Sequence, residues 1–418
     1  MATGSSPAHD LSPPNLSSSA RVLNPLHRNP IAELGFRPFF LLAMAFAPIA
    51  IALWATHTQG HGLRLPTWYT AVYWHGHEMI FGFSAAVAGG FLLTMLQNAT
   101  RERTLHGTPL LVLAALWVLA RLMPWLGDST PLLTAVPDIL FGLLLTIALA
   151  LPVARTRQWA QAGLVSKVAL LTLANGVFYA AAYGSLPAQA MPLSLYAGLY
   201  LLVALMLSMG RRVIPFFIRS GLQRDGCPFE PTNRRWVDHS SLGLFVIFVV
   251  SHLSLLINHH SWAQWSLALS AFALCVVHAV RLRGWHHRAL WRQPLLWSLY
   301  CAYGFIVLGF VLILPYLWGS ATLWIALHAF ACGGIGLMSA GMMARVSLGH
   351  TGGNIFAPPA GVSIVFVLII AGALLRTLGV WMMPLWTDHA IFWAQMFWIL
   401  AFSLLLLRYA PMLWRAMR

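Results

Sequence analysis

Charge is scarce in this chain of 418 residues: Asp, Glu, Lys and Arg together make up 8%, against about 25% in soluble domains. So few ionic groups cannot solvate the surface of a soluble enzyme of this length, and that class is excluded. Lysine is nearly absent, Lys167 being the single one, and acidic residues number ten. The four cysteines (Cys227, Cys275, Cys301, Cys332) form neither a CxxC nor a CxxCH, which argues against a disulfide framework and against covalently attached haem. Residues 1–30, rich in Ser, Pro, Ala and Asn, lack the apolar core of a signal peptide. They read as a disordered cytoplasmic tail, leaving residues 31–418 as one domain.

What fills the chain instead is apolar: hydrophobic residues make up 59%. Runs long enough to cross a bilayer, which takes about 20 residues each, recur from Phe36 onward. They fall at 36–56, 74–97, 108–126, 131–152, 163–184, 191–210, 239–257, 262–281, 294–314, 320–343, 359–381 and 385–407. The reading is an all-α polytopic membrane protein of about twelve transmembrane helices, with the lipid bilayer as its solvent. The net charge of +15 is then a membrane signature and does not point to nucleic acid, because Lys and Arg collect in cytoplasmic loops. Placing odd helices outward and even helices inward puts 22 of the 25 basic residues on one side. Both termini are therefore expected in the cytoplasm. Arg64, Arg121 and Arg376 stay outside this account.

Histidine is the outlier, with 17 copies against ten acids. Its densest cluster is Trp74-His75-Gly76-His77-Glu78-Met79, at the outer end of the second span. Ionisable groups inside a membrane are costly and mark functional sites by default. At about 100° per residue His75, Glu78 and Met79 share a face, while His77 points roughly 200° away. One regular helix cannot offer both imidazoles to one ion, so each serves a separate centre, or one ligates while the other orients a partner. Glu78 on the His75 face is placed to orient that ring through its second nitrogen.

The tenth span repeats the pattern: His328, then Ala331, Gly333, Gly334, Gly336, Ala340 and Gly341, matching Gly82, Ala85, Ala86, Ala88, Gly89 and Gly90 after the first cluster. Small residues allow close helix packing or leave room for a flat cofactor. His328 lies about 12 Å in from the outer end of its run at 1.5 Å per residue, which puts it in one outer tier with His75 and His77. His252, inside the seventh span, lies at comparable depth and is a reserve metal ligand. A second tier, His278 and His350, lies near the cytoplasmic face, and either residue reads equally as a surface histidine near lipid phosphate. Arginine suits headgroup or propionate contacts, because it never deprotonates and binds as a fork. Arg37 and Arg345 are candidates for that role. The Gly-rich turn after His350 lacks the GxxxxGK[ST] of a phosphate-binding loop.

Taken together, five segments resemble the NnrS family, bacterial inner-membrane haem- and copper-containing proteins of the nitric-oxide response. They are Gly35-Phe36-Arg37-Pro38-Phe39-Phe40, the HxHEM run followed by Phe81-Gly82-Phe83, Arg212-x-x-Pro215-Phe216-Phe217, the segment from His278 to Trp285, and His328 followed by Met342-Met343-Ala344-Arg345-Val346-Ser347-Leu348-Gly349-His350-Thr351-Gly352. They run in family order from about residue 31 to 350. The resemblance implies a twelve-helix protein of the bacterial inner membrane holding haem b, with copper as a second metal. It would bind or process nitric oxide and protect against nitrosative stress. Two positions depart from the family pattern: Tyr300 stands where it tends to have His, and Gly353 where Arg is usual. Tyr can itself ligate haem iron, so Tyr300 is kept as a residue supporting a metal. A secondary transporter is the competing class, common among chains with twelve spans, but membrane acids for proton coupling are few here.

Overall fold

The computed structural model describes residues 29–126, 131–258 and 260–415. The tail expected over residues 1–30 lies almost wholly outside the described residues. Among those described there is no strand, and twelve helices are long and apolar enough to span a membrane. They are α1 (Phe36–Thr58), α2 (Ala71–Thr100), α3 (Thr108–Trp125), α4 (Pro131–Arg155), α5 (Trp159–Ala182) and α6 (Ala190–Arg224). The second six are α7 (Arg235–Asn258), α8 (Ser261–Trp285), α9 (Pro294–Leu317), α10 (Leu323–His350), α11 (Val362–Met382) and α12 (Pro384–Trp414).

Short connections make most sequence neighbours antiparallel partners, and α12 returns to pack along α1. One end of the bundle carries the arginine-rich loops and the other is poor in charge. Helix α6 runs well past the expected limit at residue 210. Its extension buries Gly210, Ile214, Ile218 and Leu222 on one face at four-residue spacing, which is the pattern of a packed helix. Its last turn is held by Gln293, whose Nε2 donates to Gly221 O at 3.1 Å and to Asp225 Oδ2 at 2.6 Å.

The helices that carry the two glycine-rich patterns are the central ones. In α2 and α10, 72% of the most apolar stretch is buried, more than in any other span. Their small residues serve packing. A Cβ on Gly333 would come within 2.2 Å of the Phe305 ring, and one on Gly336 within 2.5 Å of Trp398. At Gly333 and Gly336 of α10 the space is taken by aromatic side chains of α9 and α12, and at Gly89 and Gly90 of α2 by Leu145 of α4 and Phe39 of α1.

Both central helices depart from α geometry just after their histidines. A π-helical segment, with i→i+5 bonding, runs from Glu78 to Ser84 in α2 and another from Ala329 to Gly336 in α10. Such wide turns leave carbonyls that need donors and recur at functional sites. In α2 the donors are present: Ser84 Oγ reaches Met79 O at 2.7 Å and Trp117 Nε1 reaches Gly82 O at 3.0 Å. A third such segment, Leu375–Gly379 in α11, carries Arg376.

Candidate functional site

His75 and His328 meet across a cavity near the charge-poor end. Their rings lie 6.4 Å apart, centre to centre, with planes 12° from parallel. His328 Nδ1 faces the carbonyl of Trp324, one turn back, at 2.7 Å. A carbonyl only accepts, so the proton sits on Nδ1 and Nε2 keeps its lone pair. Trp54 stacks on His75 at 4.5 Å, and the Nδ1 of that ring is buried without a partner. The cavity between the two rings has a volume of about 90 Å³. Its walls are mainly apolar, among them Ile51, Phe83, Ile335 and Trp398, and its polar lining includes Cys332, Arg376 and Gln395.

His77 faces the other way, as the helical angle requires, into a fully buried polar network. Its Nε2 lies 2.8 Å from Asn175 Oδ1, and its Nδ1 lies 3.2 Å from Glu78 Oε1. Asn175 in turn donates through Nδ2 to Asp138 Oδ2 at 2.9 Å, which leaves its Oδ1 to accept from His77. Both nitrogens of His77 are thus committed. Arg121 closes the network, with Nε 3.0 Å from Glu78 Oε2 and Nη2 2.6 Å from Asp138 Oδ1. Tyr69 donates to Glu78 Oε1 at 3.2 Å and Tyr179 to Asp138 Oδ2 at 3.1 Å. Burial, and next the Glu78 carboxylate, hold the Tyr69 phenol well above its ordinary range, so Tyr69 stays a donor.

Glu78 therefore serves His77 and Arg121, where sequence had placed it behind His75. The cause is the buried guanidinium: a carboxylate in a low-dielectric interior goes to the cation that compensates it. Asp138, Asn175 and Arg121 had no part in the sequence reading. An arginine that the loop-charge rule could not absorb was the available signal, since charges inside spans face partners.

His252 is buried, and its Nδ1 is hydrogen-bonded to the Tyr200 hydroxyl. Its Nε2 has no partner, and it lies among the rings of Tyr196, Phe248 and Tyr316. His278 repeats the arrangement near the arginine-rich end. Its Nδ1 is 2.7 Å from Tyr303 Oη, which accepts from Arg281 at 2.9 Å, and its Nε2 is unpartnered. His350, half-buried at the end of α10, packs on Phe36. Along α10 it is roughly 33 Å from His328 at 1.5 Å per residue, so one metal cannot draw on both.

Three further candidates are engaged away from the cavity. Arg37 caps α12 by donating to Leu413 O and Arg415 O at 3.2 and 2.7 Å. The Arg345 guanidinium lies 3.7 Å from the Phe217 ring centre, a cation–π contact. Tyr300 donates to Leu282 O at 3.2 Å. The structure thus joins only His75 and His328 of the proposed ligands.

A family model described as NnrS protein matches residues 30–416, well beyond the stretch over which the motifs were legible. No curated protein matches the chain.

Proposed function

We propose, since the chain belongs to the NnrS family, that it is a membrane haem b protein that binds or processes nitric oxide, and that His75 and His328 are the residues that would hold the haem. The carrying observation is the spacing of the two rings. A metal–imidazole bond of about 2 Å, with about 1 Å more from nitrogen to ring centre on each side, gives roughly 6 Å between centres. The 6.4 Å found across an apolar cavity would let both imidazoles contribute to holding one iron. Imidazole is the common nitrogen donor for this metal.

Bound there, haem would supply the redox-active, gas-binding atom. The residues of the chain do the rest. The Trp324 carbonyl fixes the His328 tautomer and ring direction, as outer partners of ligating histidines do. His75 is held by stacking on Trp54 and lacks a hydrogen bond at Nδ1, so it is the ring freer to move. Apolar walls keep water out and suit a small uncharged gas. A second apolar cavity of about 90 Å³, lined in part by Met206, Met209, Met338 and Met342, shares Ser84 and Ile335 with the first. It would give such a gas a second apolar site within the bundle.

Copper finds no comparable fit, because among the described residues no three His, Cys, Asp or Glu side chains converge where an ion could sit. The arginine-rich end belongs in the cytoplasm by the loop-charge rule, with the cavity toward the far side of the bacterial inner membrane.

The test is a visible spectrum of the purified full chain. A Soret band with b-type α bands is expected, and His75→Ala or His328→Ala should each abolish the low-spin signature. Wild-type protein without a Soret band after haem-supplemented expression refutes the haem reading, and two variants with unchanged spectra refute the ligand pair.

A further inference from the structure

Arg376 lies in the π-helical segment of α11, six residues before that helix ends at Met382, roughly 9 Å from the charge-poor end at 1.5 Å per residue. Its side chain lines the cavity together with His75, His328 and Cys332. No acidic residue lines that cavity. The amide of Gln395, which also lines the cavity, is turned to Thr58, whose Oγ1 lies 3.1 Å from its Nε2 and 3.4 Å from its Oε1.

The other arginines embedded in the bundle are all matched. Arg121 has Glu78 and Asp138, Arg281 has Asp238 and Tyr303, Arg37 has two carbonyls and Arg345 has a ring face. Arg376 alone among these has neither a hydrogen bond, nor an ion pair, nor a cation–π contact with a described residue. A guanidinium stays charged at any accessible pH and presents a planar fork that matches two oxygens. Held inside a membrane without a counter-charge it is costly, and such residues mark ligand sites.

We infer that Arg376 is an anion receptor in the His75–His328 cavity, built to take a planar carboxylate-type oxyanion. Two sources carry that chemistry. One is a propionate of haem ligated by the two histidines, a case that rests on the function proposed above. The other is a free oxyanion of the size of nitrite, which does not depend on it.

The experiment uses the full chain in detergent, as wild type, Arg376→Gln and Arg376→Lys, with three probes: haem b, haem b dimethyl ester and sodium nitrite. If the receptor holds a propionate, haem b transfers to apomyoglobin about tenfold or more faster from Arg376→Gln, the loss expected for one charge-assisted hydrogen bond. Arg376→Lys then recovers part of the retention. The dimethyl ester, with no free carboxylate, is retained equally by wild type and Arg376→Gln, which also shows that the variant folds. If the receptor holds a free oxyanion, calorimetric titration with nitrite saturates in wild type and is lost in Arg376→Gln, while haem retention is unchanged. Equal retention of haem b together with no nitrite binding by wild type overturns the inference. Should wild type take up no haem at all, the haem proposal fails separately, and the nitrite titration alone decides the role of Arg376.

Discussion

Replacing Arg121 with Met should destabilise the protein more than any change to a surface arginine. Arg121, Glu78 and Asp138 are 5%, 1% and 1% exposed, so water cannot compensate a charge left behind. The guanidinium touches both carboxylates, at 3.0 and 2.6 Å, and methionine would leave two buried anions sharing His77 and neutral donors. Removing one partner of a buried pair costs about 3–5 kcal/mol, and here two pairs lose the same cation, so the lower figure is a floor. Removing all three charges together, as Arg121→Met with Glu78→Gln and Asp138→Asn, should restore much of the loss, because isosteric replacement of a whole ionic cluster is often nearly neutral. The assay is thermal unfolding in detergent, followed by intrinsic fluorescence and by size-exclusion peak area, for the single, double and triple variants as a coupling cycle. The single variant melting with wild type would refute the reasoning. So would a triple variant less stable than the single one, since that would make the ions themselves the source of stability.

His77→Phe should leave a haem spectrum intact while lowering stability, because both ring nitrogens of His77 serve the network; a lost low-spin signal would return His77 to the ligand set. His278→Ala should likewise spare that signal, since its ring lies against Phe310 and Tyr303, and a changed spectrum would place a centre near the arginine-rich end. Acidified acetone should extract all haem, in the absence of a CxxCH motif; a haem-staining band on a denaturing gel would contradict this. A C-terminal reporter active only in the periplasm should stay silent, and a signal from it would invert the topology.

The apolar runs, their lengths and the one-sided arginines specified twelve spans and their order, because hydrocarbon thickness and backbone hydrogen bonding leave a spanning chain little choice. The opposite directions of His75 and His77 were equally legible, since they follow from 100° per residue along a single helix. The pairing of His75 with His328 was not. It requires α2 and α10, some 250 residues apart in sequence, to lie side by side, and helical periodicity says which face turns inward but not which helix meets it. The π-helical turns shift the register of every residue after them, through carbonyls satisfied by side chains such as Ser84 and Trp117. Glu78 shows the same limit from the electrostatic side. Its helix face pointed to His75, yet its carboxylate turns to Arg121, contributed by the next helix. A buried charge is governed by the nearest opposite charge in space, and distance in space is the one quantity that a linear order of residues does not contain.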